Sequence, residues 1–261
     1  MTNVKNTNPA PPTLAAKRHA AITKILAQNG TARTADLATR FDVNTATIRR
    51  DLKTLEGQGK LRRVHGGALA VEEVQAGSDR ASPATQEARI GQAVAGMIAD
   101  GETIFLSPGQ LALEAAHCLT THSRLTIVTN GLEIAHWIAT NTSHTLIVTG
   151  GQAGGRDLGL TGQLTKEALA NLRAAHVILE LDGVNAVDGL TDDDLAQAEI
   201  AQLLLGVGSE IIVLVPARRM GEAAAAYVAP ASDADVIITA REAPSPPLWD
   251  LSETGVRIVL A

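Results

Sequence analysis

Two sets of residues in this chain have the types and spacing to do chemistry. The first is Thr45, Thr47, Arg49, Arg50 and Lys53, followed closely by Arg62, Arg63 and His65. Cations and hydroxyls so grouped suit nucleic acid: a guanidinium can hold a guanine edge with two parallel bonds, while other donors grip phosphates. The second set is spread over the ends of apolar runs: Ser107, Gly109 and Gln110, Thr129 and Asn130, Gly150 and Gly151, Asp182 and Asn185, and Arg218 and Arg219. Glycines that admit close backbone approach, free amides at helix starts and side-chain donors suit a small anion or polyol. The carboxylates Asp182, Asp188, Asp192, Asp193, Asp194 and Glu199 could in principle transfer protons. The run Asp192 to Asp194 is better explained by capping at a helix start. His117, His122, His136, His144 and His176 lack metal-ligand spacing, so no metal or other cofactor is expected.

The first set needs a helix and a hairpin to position it. From Asn44 to Ala68 the chain reads NTATIRRDLKTLEGQGKLRRVHGGA. Asn44 is a good N-cap, and Ile48, Leu52 and Leu55 recur at helical spacing. That buried stripe turns Ala46, Arg50 and Lys53 outward, with Thr45 and Arg49 on the flank. Asp51 points elsewhere and is expected to bond within its own domain. Beyond Gly59, the cations of LRRVHGG form a Gly-ended hairpin. Upstream, KRHAAITKILAQN places Ile22, Ile25 and Leu26 on one helix face and stops at Gly30. Thr34 is expected to cap a second helix, TADLATRF, that packs Leu37, Ala38 and Phe41 inward. Helix, helix, tight turn, helix and basic hairpin is the winged helix-turn-helix arrangement, whose helix after the turn enters the major groove.

The second set needs a sheet. TIFLS, LTIVTN, TLIVTGG, AHVILELDG, EIIVLVPA, DVIITA and VRIVLA are short apolar runs, and most of them alternate with helical segments such as LALEAAHCL and LEIAHWIAT. That alternation predicts a mostly parallel α/β sheet, in which ligands bind at the carboxyl ends of strands. The fold class is therefore an N-terminal winged helix-turn-helix domain followed by a larger α/β domain. Residues 1–16 read as a disordered tail and 17–70 as the DNA-binding domain, its helix-turn-helix at 34–53. Residues 71–86 are a polar linker, and 87–261 form the α/β domain.

The 261 residues carry a net charge of −6, which by itself argues against nucleic acid. The charge is not evenly spread. Residues 1–70 hold 12 Lys+Arg against 4 Asp+Glu, a net of +8, and residues 71–261 hold 10 against 24, a net of −14. A basic head on an acidic body is the footprint of phosphate binding by the head alone. An aromatic content of 2% argues against stacking platforms for single strands. The single cysteine, Cys118, excludes an internal disulfide and reads as a small buried hydrophobe. There is neither an apolar run long enough to cross a membrane nor a signal-peptide core at the start, so the cytoplasm is the expected location.

Phe41-Asp42-Val43, TIRRDL from Thr47 to Leu52, Leu55, Gly59 and VHGGA from Val64 to Ala68 resemble the DeoR-type bacterial transcription regulators. The body resembles the same family through IADGETIFL, IVTN, the Gly150-Gly151 pair, DGVN and GLT. The family's C-terminal domain is similar to ribose-5-phosphate isomerase. The resemblance implies a repressor of carbohydrate-metabolism genes that binds double-stranded operator DNA as a homodimer or homotetramer. It also implies a sugar phosphate or related metabolite as small-molecule effector, and no catalytic activity. Arg49, Arg50 and Lys53, with Thr45 and Thr47, are then the groove contacts, while Thr34, Arg62, Arg63 and His65 touch phosphates or the minor groove. This chain departs from the family in the loop after the first α/β strand, where Ser107-Pro108-Gly109-Gln110-Leu111 replaces Asp-Ser-Gly-Thr-Thr. Pro108 removes an amide donor there. Arg218 and Arg219 keep positive charge where the family has Asp-x-x-Lys. Two alternatives stay open: an effector-independent regulator with a degenerate sensor domain, and a protein retaining isomerase-type activity.

Overall fold

The computed structural model describes residues 14–64, 66–71, 85–155 and 157–261. Most of the expected tail, most of the linker, and His65 lie outside the described residues. The chain divides into two compact units, Met1–Ala70 and Val71–Ala261.

The head runs α1 (Leu14–Asn29), β1 (Thr31–Arg33), α2 (Thr34–Arg40), α3 (Thr45–Gly57), β2 (Leu61–Val64) and β3 (Gly67–Ala70). Helix α1 starts inside the stretch read as a tail, because Leu14, Ala15 and Ala16 are strong helix formers that extend it backwards. Its buried Ile22, Ile25 and Leu26 join Leu37 and Ala38 of α2 and Ile48, Leu52 and Leu55 of α3 in one core. The turn between α2 and α3 is tight. Asp42 takes φ 50, which a short polar side chain tolerates, and the Val43 amide donates to the Ala38 carbonyl at 3.0 Å. Strands β1, β3 and β2 form an antiparallel sheet in that order. The β2–β3 hairpin reverses within two residues, and Gly66 there has φ 93, a value that suits glycine.

The body continues with α4 (Gln86–Ala95), β4 (Thr103–Leu106), α5 (Gln110–Cys118), β5 (Thr126–Thr129), α6 (Leu132–Asn141) and β6 (Thr145–Val148). A small antiparallel pair follows, β7 (Gln152–Gly154) and β8 (Gly159–Thr161), then α7 (Gln163–Ala170) and β9 (Ala174–Glu180). After β10 (Gly183–Asn185) and β11 (Gly189–Asp192) come α8 (Leu195–Leu204), β12 (Gly208–Leu214) and β13 (Ala226–Ala229). The body ends with β14 (Val236–Thr239), α9 (Ser245–Ser252) and β15 (Arg257–Leu260). Seven strands make one sheet in the order β15-β14-β12-β9-β4-β5-β6, with every pairing parallel.

Parallel strands are usually covered on both faces, and here the inner strands are, while edge strand β6 stays largely exposed. Ile104, Leu106, Ile127, Ile178, Ile212 and Ile238 pack under α4, α5 and α6 in one core. Their alternate neighbours Phe105, Val128, Val177, Leu179 and Val213 are also buried, on the opposite face. From β4 the chain winds outward one way through β5 and β6, then returns to β9 on the other side of β4 and winds away through β12, β14 and β15. The strand order therefore reverses between β4 and β9, and a crevice opens at their carboxyl ends. Among the described residues, no helix is long and apolar enough to cross a membrane.

Candidate nucleic-acid interface and ligand cleft

The exposed cationic surface of the head is built largely by α3. Asn44 caps the helix: its Oδ1 accepts from the Thr47 amide at 2.8 Å and from the Thr47 hydroxyl at 2.9 Å. With Ile48, Leu52 and Leu55 buried, Thr45, Ala46, Arg49, Arg50 and Lys53 are exposed. The side chains of Arg49, Arg50 and Lys53 form no hydrogen bond or ion pair among the described residues, so their donors face solvent. Thr47 is half-buried and its hydroxyl proton already goes to the cap, leaving only its lone pairs to a partner.

Asp51, the acidic residue in this basic stretch, is buried. Arg18 donates to it at 2.6 and 3.1 Å, and a His19 ring nitrogen lies 2.9 Å away. Burial pushes the Asp51 pKa up, but the hydrogen bonds from Arg18 and His19 outweigh it and hold the carboxyl below the usual range. The ion pair ties the start of α1 to the middle of α3, so it fixes the angle at which the cationic face is presented.

The hairpin supplies Arg62, which is half-buried, and Arg63, which is exposed. Glu56 holds the hairpin against α3, accepting from the Arg63 amide at 2.9 Å, with its other oxygen 3.5 Å from the Arg63 guanidinium. Thr34 stands differently from its sequence expectation. It is the first residue of α2, not its cap, and only 8% exposed; its amide donates to the Gly66 carbonyl at 2.8 Å. So placed, its side chain offers little surface to a partner.

In the body, a cleft of about 200 Å³ lies at the β4–β9 reversal. It is lined by Ser107 and Pro108 after β4, Asn130 after β5, Glu180 and Asp182 at the end of β9, Asp192 to Asp194 before α8, and Gln197. Of the expected effector residues, this brings together Ser107, Asn130 and Asp182. Arg219 reaches the wall from outside the lining, 2.6 Å from Asp193 and 3.9 Å from Asp182.

The others are placed elsewhere by local structure. Gly109 and Gln110 stand at the α5 start but do not line the cleft. The Thr129 hydroxyl donates to the Leu106 carbonyl at 2.7 Å and accepts from the Gly131 amide. Gly150 and Gly151 pack on α7, where a Cβ on Gly151 would overlap the Thr165 hydroxyl. Asn185 organises the β10–β11 turn by accepting from the Val187 and Asp188 amides. Arg218 borders a separate depression with Pro216 and Glu242.

The residue that sequence reasoning missed is Glu180. One of its carboxyl oxygens accepts from the Leu111 amide at 2.7 Å and the Ala112 amide at 3.1 Å. Those are free amides of the first turn of α5, the place where an anion would be bound. Gly109, at φ 138, makes the approach possible, since a Cβ there would overlap the Glu180 carboxyl. The Ser107 hydroxyl accepts from the Glu180 amide at 2.8 Å and so belongs to the same arrangement. Burial raises the Glu180 pKa to about 7 despite those two amides. Asp192 is likewise pushed up to about 6, chiefly by burial, with Asp182, Asp194 and Asp193 adding to the rise. A signal for Glu180 does exist in the sequence: it is the lone carboxylate in the apolar run AHVILELDG before Asp182. Asp194 is the α8 cap, accepting from the Ala196 amide at 2.8 Å and from the Gln197 amide at 3.4 Å. Among the described residues, no group of three His, Cys, Asp or Glu is placed to hold a metal ion.

A winged helix-turn-helix head joined to a doubly covered parallel α/β body defines the class of two-domain transcriptional regulators. Residues 18–74 match the family model described as the DeoR-like helix-turn-helix domain, and residues 83–241 match the DeoR C terminal sensor domain. The chain belongs to the DeoR family. It is similar to the glycerol-3-phosphate regulon repressor of Escherichia coli (strain K12), 31% identical over 233 residues that cover 88% of this chain and 92% of that one. The HTH-type transcriptional repressor CsqR of the same strain is 27% identical over 246 residues, 93% and 94% of the two chains. The HTH-type transcriptional regulator UlaR of Shigella dysenteriae serotype 1 (strain Sd197) is 26% identical over 250 residues, 94% and 98%. A ribose 5-phosphate isomerase from Plasmodium falciparum overlaps 51% of each chain with a TM-score of 0.37 and 10% identity. A likeness that loose carries no chemistry with it.

Proposed function

We propose that this chain is a sequence-specific repressor of carbohydrate-metabolism genes. It binds double-stranded operator DNA through α3 and the β2–β3 hairpin, and a small sugar-related metabolite in the body's cleft modulates that binding. The observation that carries the DNA reading is the exposed row Arg49, Arg50 and Lys53, held outward by a buried apolar stripe and by the Asp51–Arg18 pair. Arg50 reads a guanine edge. Arg49, Lys53 and Thr45 flank it, the Thr47 lone pairs accept, and Arg62, Arg63 and His65 position the head on phosphates.

Relatives named as repressors support the sign of regulation. The effector reading rests on the cleft at the strand-order reversal, where α/β sheets bind ligands. Assembly as a homo-oligomer through the body presents two heads to repeated half-sites. Edge strand β6 supports that assembly: Ile147 and Val148 are 47% and 41% exposed. The body works as a binder rather than an enzyme, in line with its regulator relatives.

Footprinting upstream of the neighbouring genes, with and without candidate metabolites, tests the reading. Protection of paired half-sites by the full-length chain is expected, and it should vanish when Arg49, Arg50 and Lys53 are all replaced by Ala. Unchanged protection by that variant would overturn the interface. Product formation from pentose or hexose phosphates would overturn the binder assignment.

A further inference from the structure

The cleft's lining is rich in carboxylates. Every carboxylate that lines it is an acceptor when ionised: Asp157, Glu180, Asp182, Asp192, Asp193 and Asp194. Among the described lining residues there is no Lys or Arg. Arg219 comes near, but its guanidinium is engaged by Asp193 at 2.6 Å.

The α5 first turn, which would hold an anion, is filled from within by Glu180. Its Leu111 and Ala112 amides have their acceptor, and Gly109 is shaped around that carboxyl. Pro108 offers no amide at all. An independent observation points the same way. Asn130 is fully buried at the cleft, its amide nitrogen donating to the Leu160 carbonyl at 3.0 Å and to Gln197 at 3.2 Å. Its Oδ1 has no partner. A buried amide oxygen left without a donor is costly, and a ligand donor would satisfy it.

We infer that the cleft takes an unphosphorylated polyhydroxyl ligand, neutral or amine-bearing, which donates to Asn130 and the acid wall while Glu180 occupies the phosphate position. Hydroxyl and ammonium groups supply donors to a lining rich in acceptors. A phosphate would meet several carboxylates and find the helix amides taken. The inference rests on the effector-cleft reading above and names the ligand class for it.

Matched pairs test it with the full-length protein: glucitol against glucitol 6-phosphate, and glucosamine against glucosamine 6-phosphate. Calorimetric titration and ligand-dependent release of operator DNA are the two readouts. The expected result is that the unphosphorylated member of a pair binds at least roughly tenfold more tightly, because like charges repel in the cleft. Glu180→Ala, which frees the α5 amides, should gain affinity for inorganic phosphate, whereas Glu180→Gln, which keeps the position filled, should not. Should Glu180→Ala fail to fold, the wild-type pairs and Glu180→Gln still decide. If the phosphorylated members bind more tightly to wild type, the inference is wrong and the effector cleft stands. If no member of either pair binds or releases operator, the cleft is not an effector site and both readings fall.

Discussion

Arg50 and Asp51 are adjacent in sequence and opposite in role, and the helix explains why. One residue of rotation carries a side chain about a quarter turn, so Arg50 meets solvent while Asp51 meets Arg18 and His19. Replacing Arg50 by Ala should relax base preference by about 1–3 kcal/mol while leaving the head folded. Competition binding with operator and random DNA measures this, and an unchanged ratio would count against guanine recognition by Arg50. Asp51→Ala should instead destabilise the head, on the order of 3 kcal/mol, because it leaves the Arg18 charge without its partner. Hydrogen exchange of head amides in the full chain reads that loss locally. The Asp51 pKa is depressed in the folded state, so its stabilisation is present above the ordinary carboxylate range and is lost as pH falls through and below it. Glu180 has the opposite sign. Its folded pKa is raised from 4.5 to about 7, so the stability it contributes is full below 4.5 and disappears as pH rises through 7. Glu180→Gln should flatten the body's thermal stability between those limits, and a profile still falling as in wild type would contradict the assignment. Asn44, Arg50 and Asp51 are legible from spacing alone. Glu180 is not, since its meaning depends on a helix start that lies far away in sequence.

At the scale of elements, legibility follows apolar continuity. Strands of the central sheet are continuous apolar runs between helices, and that rhythm is visible without coordinates. Strands β7, β8, β10 and β11 contain glycine and are mixed in polarity, with no continuous apolar run, and they are held by antiparallel pairing that the sequence does not show. Helix α9 carries Pro246 and Pro247 in its first turn, where proline is tolerated. The cleft inherits this divide. Its β4, β5 and β9 loops are foreseeable, whereas its Asp157 and Gly159 wall depends on the short β7–β8 pair. Edge strand β6 carries the prediction that belongs here. Replacing both Ile147 and Val148 by Lys should lower the molar mass measured by light scattering toward that of the monomer, with the body's unfolding temperature little changed. Retention of the wild-type mass would place the assembly surface elsewhere.

For the whole molecule, charge division sets the terms of DNA binding. A head at +8 is attracted to the phosphate array, and a body at −14 is repelled, so the attraction is confined to one unit. Affinity should therefore fall steeply with salt. Replacing Arg62 and Arg63 by Ala in the full chain should reduce the slope of log K against log salt by about 2 without altering sequence preference. An unchanged slope would mean that the hairpin makes no phosphate contact. The two-domain plan and the sheet class are legible because they rest on composition and periodicity. The cleft's polarity is not, because it depends on which of the body's acids converge. Glu180 and Gly109 also have a consequence for how such a protein can change over generations. The carboxyl fits only where position 109 lacks a side chain, so the two sites form one heritable unit. On the ligand reading proposed above, a lineage that loses Glu180 relaxes one constraint on Gly109 and frees the helix amides for an anion in the same step.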